Sequence, residues 1–148
     1  MTHRSTPARI AFTLVLACTP AWGAGPSAEF VVMGASSDFG TVRAMLCAEG
    51  ERFPNQCKRA ARVPARAEGT RLVFENLMPG RYALSVVHDE DDSGRLGISS
   101  ISGKPKGIGF SNNVTGPGGV PTFNLAAVQV REGGLQQVVR LRGFAFGR

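Results

Sequence analysis

The chain is short of the residues that most often build reactive or stacking sites. Its 148 residues include two histidines, one tryptophan, one tyrosine and three cysteines. Trp22 and His3 both fall in the first 23 residues, and Tyr82 reads as a core position. Without an aromatic platform, recognition of nucleic-acid bases or of sugar rings has little to rest on. No Gly-x-Ser-x-Gly elbow surrounds Ser111, so the nucleophile turn of an α/β-hydrolase is absent there. Cys47 and Cys57 are too widely spaced for a CxxC redox or metal pair, and no histidine lies near them. No apolar run approaches the about 20 residues that a helix needs to cross a bilayer. Nor does any stretch keep a helical period for more than about two turns.

What is present begins with a leader. Arg4 and Arg9 precede a short apolar run over residues 10–17, and Ala21-Trp22-Gly23 supplies small residues for cleavage. That order predicts a secretory signal over residues 1–23 and a periplasmic or secreted mature domain over residues 24–148. Val15-Leu16-Ala17-Cys18 also resembles a lipobox, which would make Cys18 a lipid-anchored first residue of an envelope accessory protein. Bulky Leu16 fits that pattern poorly. Loss of the two leader arginines leaves 15 basic residues against 11 acidic ones. The mature part is large enough to bury an unaided core. In an oxidising compartment, Cys47 and Cys57 are expected to form one disulfide.

Short β-rich segments recur between turn residues, the pattern of a sandwich or barrel. Strands are expected over residues 29–34, 40–48, 70–77 and 81–89, with a hairpin of residues 122–130 and 135–142 around Glu132-Gly133-Gly134. Tyr82, Leu84, Val86 and His88 alternate against Arg81, Ala83, Ser85 and Val87. Residues 51–66 read as an irregular basic excursion, and residues 90–121 as a long, partly tucked connection of little strand character. The expected fold is all-β, a single immunoglobulin-like or transthyretin-like β-sandwich of six or seven strands with one long loop. A loop of that length is the natural place for a site.

His88-Asp89-Glu90-Asp91-Asp92-Ser93-Gly94 opens that loop. Four adjacent carboxylates repel unless they are solvated, paired with cations or neutralised by a metal. Asp89, Asp91 and Ser93 occupy the first, third and fifth places of a calcium-loop pattern, Gly94 the sixth, and the main-chain carbonyl of Arg95 could serve at the seventh. Ser100 stands where an EF-hand has its bidentate Glu, so calcium would be held weakly. The competing reading is a solvated acidic turn paired locally with Arg95 and Lys104. His88 is expected to be a structural histidine bonded into the long loop. A hydrolase triad of Ser111, His88 and Asp89 is opposed by parity, because adjacent strand residues face opposite ways. Asn112 and Asn113 are expected to bond backbone in a turn. Lys58, Arg59, Arg62, Arg66 and Arg71 could form a basic patch toward an anionic surface or an acidic envelope partner; a solvated face is the alternative. Nucleic acid is not an expected partner.

Phe74-x-x-Leu77-x-Pro79-Gly80-x-Tyr82 leading to Val86-x-His88-Asp89, then Gly103-Lys104-Pro105-Lys106 and Gly109-Phe110-Ser111-Asn112-Asn113, resembles the bacterial exported family called domain of unknown function 2141. The resemblance covers roughly residues 30–141 and implies an exported β-sandwich without an assigned activity. This chain departs from the pattern at Gly97 and Gly107, where relatives carry carboxylates. Both departures leave the long loop poorer in cation ligands. The whole reading is of a non-enzymatic binding or structural module, with a weak calcium site as its sharpest expectation.

Overall fold

A computed structural model describes residues 24–143 of the chain. The expected leader and Cys18 lie outside the described residues. Among the described residues, nine strands form two stacked sheets: β1 (Ala28–Met33), β2 (Thr41–Ala48), β3 (Arg59–Pro64), β4 (Thr70–Phe74), β5 (Gly80–Asp89), β6 (Gly107–Phe110), β7 (Val128–Val130), β8 (Leu135–Arg140) and β9 (Arg142–Gly143). The smaller sheet runs β4-β1-β8, and the larger β3-β2-β5-β6-β9, with β7 beside the start of β5. One short helix, α1 (Phe123–Ala126), and two 3-10 turns interrupt the connections. Among the described residues, no helix is long and apolar enough to cross a membrane.

Side-chain alternation decides what each strand buries. Ala28, Phe30 and Val32 of β1, with Leu72 and Phe74 of β4, face Val42, Ala44 and Leu46 of β2 and the even-numbered residues of β5. Phe30 and Phe74 meet edge to face, their ring centres 6.3 Å apart. Each large side chain so buried contributes about 1.5–3 kcal/mol of hydrophobic stabilisation. Tyr82 is buried too, and its hydroxyl donates to the Met78 carbonyl at 2.9 Å. Its place is in the core, as expected.

Three expectations need correction. The basic excursion contains β3, which pairs antiparallel with β2 from Thr41↔Pro64 to Leu46↔Arg59. The long connection contains β6, which pairs with β5 through Ser85↔Phe110 and Val87↔Ile108. These additions take the count beyond six or seven strands. The terminal hairpin is not a ladder: β7 joins β5 in the larger sheet, whereas β8 runs parallel to β1 in the smaller one. Only an isolated bridge, Arg131↔Gly134, spans the tight turn. The free edge of β1 offers a longer register than the three-residue β7 can, and β8 takes it.

Cys47 and Cys57 are joined as a disulfide, with Cα atoms 4.5 Å apart. Glu51 closes the same loop by accepting from the amides of Ala48 and Lys58 at 3.1 and 3.2 Å. Replacing both cysteines with alanine is expected to lower unfolding free energy by about 2–3 kcal/mol, the chain-entropy value for a loop this short. Urea denaturation of the oxidised protein beside the double variant measures the difference.

Candidate functional site

The register of β5 and β6 determines the geometry of the acidic turn. Continuing Val87↔Ile108 by two places sets Lys106 across from Asp89, on the outer face of the larger sheet. The lysine side chain is almost fully buried there, and its ammonium lies at the focus of four oxygens. They are Asp89 Oδ1 at 2.5 Å, Asp91 Oδ1 at 2.5 Å, Ser93 Oγ at 2.7 Å and the Arg95 carbonyl at 2.9 Å. Asp89, Asp91, Ser93 and Arg95 were expected to surround calcium, and the fold does bring those four oxygens together. The cation between them, however, is the chain's own Lys106. Calcium–oxygen distances of about 2.3–2.6 Å are slightly shorter than this spread. A tethered ammonium supplies one positive charge and up to three N–H donors to the same set of acceptors.

Each carboxylate of the run has its own partners, which explains how four adjacent charges coexist. Asp89 also accepts from the Gly94 amide at 2.8 Å and from Arg43 at 3.3 Å. Glu90 is buried without a cation, held by the hydroxyls of Ser37 at 2.8 Å, Ser36 at 3.2 Å and Ser102 at 2.5 Å. Asp91 takes the Ser100 amide at 2.8 Å in addition to Lys106. Asp92 accepts from Thr41 at 2.6 Å and Arg62 at 3.0 Å. The expected local pairing with Arg95 and Lys104 is therefore replaced by Lys106, just ahead of β6, by Arg43 of β2 and by Arg62 of β3. Gly94 adopts φ +74°, and a Cβ there would stand 3.0 Å from Arg43 Nη1, so glycine serves the turn twice over.

His88 is buried between the sheets. Its Nδ1 accepts from the Ser36 amide at 3.3 Å, which leaves the proton on Nε2 to be donated to the Phe39 carbonyl at 2.8 Å. These partners belong to the β1–β2 connection rather than to the long loop, a correction to the expected bonding. The imagined triad is not assembled. Ser111 is fully buried, accepts from the Leu84 amide and donates to the Ala126 carbonyl, while Asp89 faces away from His88 toward Lys106. Asn112 and Asn113, both at positive φ, bond backbone as expected. Asn112 donates to the Ala127 carbonyl, and Asn113 bridges the Val138 carbonyl and the Arg140 amide.

The basic patch is dispersed. Arg71 forms a two-pronged pair with Glu29 on the smaller sheet, Arg62 pairs with Asp92, and Arg59 lies 3.8 Å from Glu51 and over the Tyr82 ring.

An unexpected feature lies beside the ammonium knot. Outward-facing Met45, Ser85, Val87, Ile108 and Phe110 line a groove of about 450 Å³ across the larger sheet. Leu96, on the acidic loop, forms part of one rim, and Pro54 and Asn55, on the disulfide-closed loop, form part of another. Phe53, Phe110 and Phe123 cluster at the far end, with Phe53 edge-on to both of the others. Sequence alternation does set Val87 opposite to the Tyr82–His88 face, whereas Ile108 and Phe110 fell in the connection expected to have little strand character. What alternation does not show is that β2, β5 and β6 place Met45, Val87 and Ile108 side by side.

The knot sets the pH range of the fold. Glu90 is brought down to about 2, chiefly by the hydroxyls of Ser102 and Ser99, against the opposing effect of burial. Asp91 lies well below its ordinary value because of Lys106 first and the Ser100 amide next. For Lys106, burial is the largest influence and disfavours the charge, yet bonds to Asp89 and Asp91 raise it overall. Carboxylates depressed in this way add stability above their unfolded value, and lose it as pH falls through the folded one. The raised lysine adds stability below its ordinary value and loses it only at more alkaline pH. Acid unfolding is therefore expected to begin below about pH 4.5 and continue toward pH 2, with a second loss only above about pH 10.5. Urea midpoints recorded from pH 2 to 11 test both limbs.

Lys106→Met would leave Asp89 and Asp91 facing each other, and is expected to cost about 3–5 kcal/mol, as for other broken buried pairs. Millimolar calcium should restore part of that loss in the variant and leave the wild-type Tm unchanged. A calcium-dependent rise in the wild-type Tm would instead show that the ion displaces the lysine.

The model of a family described as uncharacterized protein conserved in bacteria (DUF2141) matches residues 31–138. No curated protein and no solved structure matches the chain.

Proposed function

The chain belongs to the DUF2141 family of bacterial proteins, and from that premise we propose that it is an exported, non-enzymatic binding module whose ligand sits in the groove on the outer face of the larger sheet. The observation that carries this reading is an apolar strip left open between two cross-linked rims. Met45, Val87 and Ile108 are half-buried on its floor and Phe110 is buried beneath one end, so the strip keeps apolar surface in contact with water that a ligand could cover. Leu96 and Val120 beside them are exposed, at 57% and 41%. The volume of the groove falls in the range of small-molecule sites.

Export is supported by the charged, apolar and small-residue order of residues 1–23, with anchoring through Cys18 as the variant of the same reading. A non-catalytic role is supported by the state of His88, whose two ring nitrogens are both committed to structural bonds. Lys106 and the Cys47–Cys57 disulfide then have a shared purpose, since each fixes a loop that borders the groove. Calcium is the second reading for residues 89–95, and it requires the ion to displace the Lys106 ammonium.

Nile red, an uncharged apolar dye, is expected to bind the folded protein with increased emission. Met45→Asp and Val87→Asp, which put carboxylates on the floor of the groove, should abolish the signal while circular dichroism stays unchanged. Emission that survives both substitutions would move the ligand face elsewhere.

A further inference from the structure

The outer face carries a second pattern at right angles to the strands. Antiparallel partners share a face, so the registers line up Arg62, Arg43, Val87, Ile108 and Arg142 in one row across β3, β2, β5, β6 and β9. The row has an apolar centre and guanidinium groups on both sides. Arg43 and Arg62 are paired with Asp89 and Asp92. At the other side, a recess of about 340 Å³ is lined by Arg140 and Arg142, together with Asn113 and the glycines of residues 118–119. This recess and the apolar groove meet at Ile108 and Phe110, which line both. No carboxylate lines either of them, and neither Arg140 nor Arg142 has an acidic partner among the described residues.

We infer that the ligand is a single-chain anionic amphiphile, a fatty acid, with its hydrocarbon over Met45, Val87, Ile108 and Phe110 and its carboxylate on Arg140 and Arg142. This inference rests on the groove reading and adds the chemistry of the head. An alkyl chain matches a floor that offers almost no hydrogen-bonding groups. The carboxylate matches two exposed guanidinium groups, each able to present paired N–H donors. A cationic or neutral head would leave those donors to water.

The test uses the mature protein, below the micelle-forming concentration of each probe, with dodecanoate, its methyl ester and dodecyltrimethylammonium displacing Nile red. Dodecanoate is expected to displace the dye at concentrations at least about tenfold lower than the ester, as befits a charge-assisted bond, with the cationic amphiphile weakest. Arg140→Gln with Arg142→Gln should bring dodecanoate down to the ester's level and leave the ester and Nile red unchanged. Arg43→Gln with Arg62→Gln should preserve the preference for the acid. If acid and ester compete equally in the wild type, or if the Arg140/Arg142 variant keeps the preference, the fatty-acid assignment is overturned while the groove reading stands. If Nile red itself fails to bind, both fall together.

Discussion

Burial of the Lys106 ammonium among Asp89, Asp91, Ser93 and the Arg95 carbonyl is the constraint from which the outer face of the larger sheet follows. An acidic run of this density would spread apart under its own repulsion if no cation held it. The ammonium offsets that repulsion from inside and ties the beginning of β6 to the end of β5. With β6 held there, Ile108 and Phe110 extend the outer face beyond Val87 and Ser85. The acidic loop is drawn down at the same time, so Leu96 becomes a rim. A buried ion pair is weak evidence for added stability, because desolvation offsets much of its attraction. Its more evident consequence here is geometric: it selects one register and one loop position.

The disulfide plays a comparable part across the groove. Cys47 is wholly buried on the outer face of β2, and its bond to Cys57 folds residues 48–56 back over the sheet. Phe53 thereby meets Phe110 and Phe123 and closes the far end of the apolar strip. Two unlike cross-links, one ionic and one covalent, thus border the same open surface. A sandwich needs neither to bury the core between its sheets, where Phe30, Leu72, Leu46 and Leu84 already exclude water.

Much of the frame was legible in the residue order. Alternation in β5 set Tyr82, Leu84, Val86 and His88 on one face, and all four are buried, because a strand inverts its side chains at every residue. The four loop oxygens were also legible, because a tight turn with Asp, Asp, Ser and Gly at fixed offsets can aim them at only one region. Lys106 was missed, although it stands in the motif Gly103-Lys104-Pro105-Lys106. Lys104, two residues nearer the acids along the chain, was the natural candidate for pairing. Proximity in sequence is a poor guide where the register of the following strand β6, not the spacing along the chain, decides which lysine meets Asp89.

By itself, the amino-acid order determined the all-β character, the inward faces, the pairing of Cys47 with Cys57 and the convergence of oxygens at residues 89–95. All four rest on local rules: period-two alternation, one covalent option and one turn. Only the tertiary structure decided that Lys106 faces Asp89, that β8 leaves its neighbour to run beside β1, and that arginines from three strands flank an apolar row. Those facts depend on which strands become neighbours and in what register. An irregular connection between two strands carries no local signal for either choice; burial and charge neutralisation across the whole fold make it.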